Sequence, residues 1–228
     1  MYFLLKLNGR GDFIARMYID THAHIYLEQF EEDLTEVVGR SLAEGVGRVY
    51  MPNIDSATID TMLDVASKFE CCIPLMGLHP CSVNESYKDE LALVEDWFNK
   101  QHFCAVGEIG TDLYWDTTFK KEQIEAFQRQ TELAIAKDIP VVIHCRDSLD
   151  LTIALVRDFS GQGLRGVFHC FNGTVSQGQQ IIDLGFMLGI GGVSTFKNGG
   201  MDKVLPYLSL ESMVLETDSP YLTPAPFR

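Results

Sequence analysis

The sequence predicts an α/β fold, a TIM (β/α)8 barrel, and three observations favour this class. The chain has 228 residues, close to the roughly 250 that are typical of such a barrel. Eight short apolar runs rich in β-branched residues alternate with longer amphipathic stretches. The ends of successive runs lie roughly 20 to 36 residues apart, which is enough for a strand, a crossover helix and the next strand.

The predicted strands follow one another along the whole chain. They span residues 18–24, 47–53, 73–79, 103–110, 140–146, 166–171, 186–190 and 213–218. The amphipathic stretches between them predict helices at 30–43, 57–68, 88–100, 120–137 and 149–159. Strands joined by crossover helices run parallel, and eight of them favour a closed barrel over the alternative, a doubly wound open sheet.

Both ends of the sequence depart from this repeat. We expect residues 1–16 to be an extension outside the core, with Met17 as a candidate start and 17–228 as a single barrel domain. After the eighth predicted strand the sequence continues only to Arg228, so the final helix is predicted to be missing. A strand without its covering helix predicts an exposed apolar patch.

The composition restricts the classes of partner. The chain carries 18 basic and 32 acidic residues, a net charge of −14, whereas proteins that bind duplex DNA non-specifically usually present the opposite sign. An enzyme acting on phosphate esters stays compatible with this charge, because bound cations add local positive charge. Six cysteines without a C-x-x-C pair predict reduced thiols and a cytoplasmic protein. No secretory signal or membrane span is predicted, and no stable protein partner.

Potential metal ligands recur at the ends of the predicted strands. His22 and His24 close the first strand, and residues two apart on a strand share a face. Glu108 lies between apolar residues and glycines at the end of the fourth, where a carboxylate is costly to ionise without a cationic partner. The other three candidates end the fifth, sixth and eighth strands: His144, His169 and Asp218. Since barrel enzymes draw catalytic groups from the carboxyl ends of several strands, we expect these six side chains to meet.

Four histidines and two carboxylates exceed the donor set of one open metal site, and we predict two divalent cations. His22, His24 and Asp218 are assigned to one cation, His144 and His169 to the other, and Glu108 bridges them. Mixed imidazole and carboxylate ligands suit zinc, manganese, iron or nickel better than magnesium. The candidates for the two cations are Mg, Mn, Zn and Ni, and the sequence does not decide among them.

The sequence resembles the TatD family of metal-dependent deoxyribonucleases, relatives of the amidohydrolase barrels. The motifs that carry the resemblance are IDTHAH at 19–24, GLHP at 77–80, GEIGTD at 107–112, IHCR at 143–146, FHCF at 168–171 and LETDSPYL at 215–222. The resemblance implies a TIM barrel with one or two divalent metals, and it matches the six ligands already named. Two departures stand out, namely Thr111 in place of an apolar residue and an ending that lacks the usual loop and terminal helices.

The resemblance also implies a reaction, the hydrolysis of phosphodiester bonds in DNA, often from a 3′ end. Single strands or frayed ends are the expected substrate. We expect the catalytic residues to be Asp218, which accepts a proton from the attacking water, Glu108 and His79. Substrate contacts are assigned to His79, Asp112 and Arg146, although Arg146 is equally compatible with an ion pair to a nearby aspartate.

Other functions fit parts of the same pattern. An amidohydrolase acting on a cyclic amide or an amine-bearing ring is the first alternative, but many of those enzymes bridge their metals with a modified lysine, where this sequence has Glu108. A non-catalytic metal-binding protein and an inactive fragment are further alternatives. Tyr26, Tyr114 and Trp115 lie just past predicted strands and are either base-stacking residues or ordinary packing aromatics.

Overall fold

A computed structural model describes residues 17–228 of the chain. The extension predicted at 1–16 lies outside the described residues. The strands are β1 (Tyr18–Asp20), β2 (Val46–Pro52), β3 (Cys72–Leu75), β4 (Val106–Asp112), β5 (Val141–Arg146), β6 (Gly166–Phe168), β7 (Met187–Ile190) and β8 (Met213–Leu215). The helices are α1 (Leu34–Ala43), α2 (Ile59–Lys68), α3 (Tyr87–Lys100), α4 (Lys120–Ala136), α5 (Leu149–Asp158) and α6 (Val175–Asp183).

The eight strands are all parallel and follow their order in the chain. Continuous pairing runs through β1-β2-β3 and through β4-β5-β6-β7-β8. A bridge between Met76 and Val106 joins the two groups. On the other side Thr21 N donates to Leu215 O at 3.0 Å, which connects β1 to β8. The ring is therefore closed, and the predicted TIM barrel is confirmed.

The structure also corrects the predicted elements in detail. The first, third, sixth and eighth strands end earlier than predicted, because the segments that carry histidines and aspartate leave the sheet at the barrel rim. Helix α6 was not predicted. Its signal was a capping box, in which Thr174 accepts from Gln177 N while the Gln177 side chain accepts from Thr174 N.

The core lies between the barrel wall and its helices. Each helix buries one apolar stripe, as α2 does with Ile59, Met62 and Val65. The largest fully buried side chains include Phe103, Phe127 and Phe168. Because this packing holds the strands in place, it also holds their carboxyl ends in place.

Helix α4 holds two strand ends through side-chain amides. Gln130 accepts from Leu78 N at 2.7 Å and donates to Leu78 O at 3.2 Å. Two turns earlier on the same face of α4, Gln123 accepts from Asp112 N at 2.9 Å and donates to Asp112 O at 3.1 Å. Each glutamine is buried and satisfies a backbone N–H and C=O beyond the sheet pairing.

No helix follows β8 within the described chain, and residues 216–228 run over the barrel as turns. Leu215 is 59% exposed, and Met17 and Tyr18 on the adjoining strand are also exposed. Exposed apolar side chains thus occur both on β8 and at the start of β1, and the patch expected from the sequence stays a prediction. None of the helices within 17–228 is both long and apolar enough to span a bilayer.

Candidate metal centre

Glu108 lies at the centre of the histidine cluster. It sits on β4 inside the barrel mouth, and its side chain is 2% exposed. Its backbone N–H donates to Asn53 O at 3.2 Å, so the end of β2 fixes the segment that carries it. One carboxylate oxygen, Oε2, faces the end of β1, and the other, Oε1, faces β5 and β6. The residue thus points at two groups of histidines at once.

His22 and His24 form the first group, just beyond β1. Their Nε2 atoms are 3.1 Å apart, and they lie 3.1 Å and 3.5 Å from Glu108 Oε2. Asp218 joins them, with Oδ1 at 3.6 Å from His22 Nε2 and 3.7 Å from His24 Nε2. Ligand atoms of the two histidines and Asp218 lie within 4.8 Å of one another.

Asp218 reaches this position because the chain turns sharply after β8. Its φ is +57°, a left-handed conformation that aspartate tolerates better than most residues. Its N–H donates to His22 O at 2.8 Å, which fastens the turn to the first histidine. The backbone of one candidate ligand therefore orients another.

The second group surrounds Glu108 Oε1. His144 Nδ1 lies 3.0 Å from this oxygen, His169 Nε2 3.3 Å and His79 Nε2 3.5 Å. His79 also joins Glu108 and His144 in a set of ligand atoms within 4.8 Å. The structure thus brings all six predicted ligands together, with His79 beside them.

The remaining nitrogen of most of these rings meets a second partner. Tyr26 OH donates to Pro52 O at 2.5 Å, and its oxygen lies 2.9 Å from His24 Nδ1. His144 Nε2 lies 2.9 Å from Asp112 Oδ2. His169 Nδ1 lies 3.3 Å from Glu216 Oε1. Because Tyr26 uses its proton on Pro52 O, Nδ1 of His24 carries the proton of that ring, whereas both nitrogens of His144 face carboxylates.

His79 is held by a hydrogen bond in which its ring nitrogen is the acceptor. Its Nδ1 accepts a hydrogen bond from Cys81 N at 3.0 Å. A neutral imidazole that accepts at one nitrogen carries its proton on the other. Nε2 of His79 is therefore a donor toward the centre, whereas Nε2 of His24, whose Nδ1 donates to the Tyr26 oxygen, presents a lone pair.

Buried charge perturbs the acid–base equilibria of the cluster. Burial alone would raise the pKa of Glu108, but the neighbouring histidines lower it well below its ordinary value. Burial works against protonation of His169, yet Glu108 and Glu216 raise its pKa to about 10. For His22, burial and the charge of His169 lower the pKa. The carboxylates of Glu108 and Glu216 thus stay anionic, and they favour the protonated form of His169.

Close backbone approach positions His144. Gly110 on β4 pairs with His144 on β5 and has a φ of +149°. A Cβ at Gly110 would lie 1.9 Å from His144 O.

The neighbouring Thr111, which departs from the family pattern, is fully buried and places Oγ1 2.9 Å from Thr152 Oγ1. Its hydroxyl is therefore satisfied within the core.

The predicted substrate contacts lie in different surroundings. Asp112 is buried, and its Oδ1 accepts from Tyr114 N and Trp115 N while Oδ2 faces His144. The imidazole lowers the pKa of Asp112 to about 2 against the effect of burial. These contacts make Asp112 a support for His144 rather than a group open to substrate. Arg146 forms no ion pair with the carboxylates of 17–228, and its guanidinium lies 3.8 Å from the Tyr114 ring centroid.

Sequence reasoning missed three supporting residues. Tyr26, for which base stacking and ordinary packing were both open, is buried behind His24, and its role as the partner of that ring was not predicted. Glu216 lies in the same strand-end motif as Asp218, two residues earlier, and Gly189 leaves the space it occupies, because a Cβ there would lie 2.2 Å from Glu216 Oε2. Asn53 is fully buried at the end of β2. The available signal was a polar residue at a strand end within an apolar run.

An α/β barrel with imidazole and carboxylate donors gathered at one rim defines the class of the molecule as a metal-dependent hydrolase, and comparison with known proteins agrees. A family model described as TatD related DNase matches residues 19–228. The chain belongs to the TatD family, as its motifs predicted.

Individual relatives cover most of the chain. The Bacillus subtilis (strain 168) protein named uncharacterized metal-dependent hydrolase YabD is 32% identical over 213 residues, 93% of this chain and 84% of the relative. The Citrobacter koseri protein named 3′-5′ ssDNA/RNA exonuclease TatD is 30% identical over 207 residues, 90% and 80% of the two chains. The crystal structure of YjjV, a TatD homologue from Escherichia coli K12, superposes with a TM-score of 0.84 at 28% identity, covering 90% and 80%.

Proposed function

We propose that this hydrolase is a nuclease that cleaves phosphodiester bonds in single-stranded DNA or frayed ends, releasing nucleotides from the 3′ terminus. The proposal assigns two divalent cations to the centre around Glu108. It draws on the geometry of the histidine cluster and on relatives whose names describe exonucleases acting on single-stranded DNA and RNA.

The observation that carries the proposal is the orientation of the rings. In each of three histidines one nitrogen points toward Glu108 while the opposite nitrogen lies near a hydroxyl or carboxylate oxygen: His24 with Tyr26, His144 with Asp112 and His169 with Glu216. Metal-binding histidines characteristically donate their second N–H to such partners. A cluster built only for structural stability would have no need for a common orientation. The donor set thus fits divalent cations.

The residues divide into two ligand sets that share one carboxylate. We assign His22, His24 and Asp218 to one cation together with Oε2 of Glu108. His144 and His169 are assigned to the other with Oε1. Two divalent cations held side by side would supply the chemistry typical of phosphatases and nucleases. Nitrogen-rich donors favour Zn, Mn or Ni over Mg.

Bound cations would lower the pKa of a water and polarise the phosphoryl group. The chain's own residues supply the rest. Asp218, whose side chain is 13% exposed, stands at the edge of the cluster and accepts the proton of the attacking water. His79 presents Nε2–H toward the same space and donates to a phosphate oxygen. Arg146, free of an ion pair within 17–228, balances phosphate charge at the rim.

Amidohydrolase chemistry is the second candidate, since the barrel is shared. An uncharacterized amidohydrolase from Saccharomyces cerevisiae superposes with a TM-score of 0.79 at 18% identity, which shows the fold alone. Glu108 lies between the two histidine groups, and its ion-pair contacts within residues 17–228 are all with histidines and none with a lysine. We therefore favour phosphate esters.

The test is a nuclease assay on protein of measured metal content. Purified protein is analysed for metals, stripped with a chelator and reloaded with Zn, Mn, Ni or Mg, and each form is given labelled single-stranded and duplex DNA, RNA and a panel of amides. We expect cleavage of the single strand that chelation abolishes and one cation restores. Asp218→Asn should lower kcat by about 10²-fold or more with little change in KM. Amide turnover without DNA cleavage would reject the proposal.

Two further assignments remain proposals. We propose that residues 17–228 work as one catalytic domain, since every candidate ligand comes from the same barrel rim. We also propose a cytoplasmic location, where the six free thiols of the described chain would stay reduced. Fractionation of the native protein and thiol titration test the second assignment.

A further inference from the structure

Two exposed aromatic side chains and one arginine form a small surface beside the centre, which we call the aromatic ledge: Tyr114, Trp115 and Arg146. Trp115 is 69% exposed and Tyr114 51%. Their rings meet edge to face, with centroids 4.8 Å apart and an interplanar angle of 86°. The Arg146 guanidinium carbon lies 3.8 Å from the Tyr114 centroid and 5.1 Å from that of Trp115.

The ledge is fixed to the candidate metal centre through the backbone. Tyr114 N and Trp115 N donate to Asp112 Oδ1 at 3.0 Å and 3.3 Å, and the other oxygen of Asp112 contacts His144. Arg146 follows His144 by two residues on β5, and its carbonyl accepts from Leu113 N at 2.9 Å. One carboxylate thus links the ledge to a candidate ligand.

The side chains of the ledge have the chemistry of a base-stacking site. Exposed tryptophan and tyrosine faces stack on nucleobases without regard to sequence. An arginine beside them adds a planar cation that both stacks and pairs with phosphate. Arg146 forms no ion pair with a carboxylate among residues 17–228, so its charge is available to a phosphate.

We infer that the aromatic ledge stacks a nucleobase of a single strand next to the phosphate that is cleaved, while Arg146 contacts the adjoining backbone phosphate. The inference rests on the proposed nuclease function and adds the mode of substrate recognition. A stacked base requires an unpaired strand, so the ledge explains a preference for single strands over duplexes. It also predicts weak dependence on base identity.

The first test compares Trp115→Ala with Tyr207→Ala, an exposed tyrosine outside the ledge. Each metal-loaded protein is assayed on a single-stranded oligonucleotide and on the same strand with abasic sites flanking the cleaved bond. We expect Trp115→Ala to lower kcat/KM on the normal strand by about 5- to 140-fold, equivalent to about 1–3 kcal/mol of stacking. The abasic strand should be cleaved equally by both variants and by wild type, and Tyr207→Ala should match wild type throughout.

A second measurement follows binding without cleavage. In metal-loaded Asp218→Asn, the oligonucleotide should quench tryptophan fluorescence, and adding Trp115→Ala should remove the quenching. If wild type cleaves DNA but Trp115→Ala lowers neither rate nor quenching, the ledge inference is wrong while the nuclease function stands. If wild type cleaves no nucleic acid, the proposed function fails, and absent quenching then rejects the ledge as well. Thermal unfolding of each variant confirms that it is folded.

Discussion

Tyr26 offers the sharpest test of how the centre is held together. Its hydroxyl joins the carbonyl of Pro52 to Nδ1 of His24 in a buried position. Tyr26→Phe removes one oxygen and keeps the ring, so the packing is conserved. What the variant loses is the partner of a buried carbonyl and of an imidazole N–H.

The magnitude follows from these two contacts. Leaving a buried polar group without a partner costs about 1–3 kcal/mol, and for a chain of this size each kcal/mol shifts Tm by about 2–4 °C. Tyr26→Phe leaves two such groups, Pro52 O and His24 Nδ1, so its metal-free form should unfold about 4–24 °C below wild type. Loss of a partner behind a metal ligand typically weakens binding by about 10- to 100-fold, so the affinity for one cation should fall by that factor.

Tyr221→Phe is the matched control. The Tyr221 ring also meets the His24 ring edge-on, with centroids 6.2 Å apart, but it is 48% exposed and its hydroxyl makes no hydrogen bond within the described residues. Urea unfolding after chelation measures stability, and competition with a fluorescent chelator measures metal affinity. If the two variants lose the same stability and affinity, the hydroxyl does not orient His24, and the argument from ring orientation fails.

Three further predictions address the backbone, the second partners and the proton positions. Gly110→Ala should destabilise the protein by at least about 1–3 kcal/mol, because of its φ and the contact with β5. Gly39→Ala, in open space on α1, should instead stabilise by about 0.5–1 kcal/mol in the same unfolding assay. Glu216→Gln should weaken metal binding by about 10- to 100-fold in chelator competition, and unchanged affinity would show that Glu216 is not a support. His79→Asn should retain its metal content in elemental analysis and lose most of its turnover, whereas His169→Asn should lose about one cation per chain. Equal metal loss in both would contradict the assigned tautomers.

The fold was predictable because its physical signal repeats eight times along the chain. Apolar strands and amphipathic helices alternate, and only a few closed topologies satisfy that alternation. Strand ends were less predictable, as β8 shows: the sequence pattern continues to Asp218, but pairing stops at Leu215. Beyond that point backbone groups bond to turns and side chains of distant segments, which local patterns do not reveal.

The candidate ligands were predictable for a different reason. Polar residues at the carboxyl ends of buried strands are conspicuous, and parallel strands bring their ends to one rim. The orientation of each side chain depends on contacts across the barrel, so the sequence assigned Asp112 to the substrate although it lies behind His144. Tyr26 resembled an ordinary loop aromatic for the same reason, since its partner Pro52 is on another strand.

The paired amide contacts of α4 have a consequence for how this rim tolerates change. A primary amide is the one uncharged side chain that reproduces both the donor and the acceptor of a peptide group, so Gln123 and Gln130 take the place of a neighbouring strand for the backbone groups of Asp112 and Leu78. Replacement of either by glutamate keeps the shape but removes the donor, leaving the carbonyl of Asp112 or Leu78 without a bond and adding a buried charge. Substitutions of Gln123 or Gln130 should therefore alter catalysis through the segments at Asp112 and Leu78 that these side chains hold, although neither glutamine faces the reacting groups.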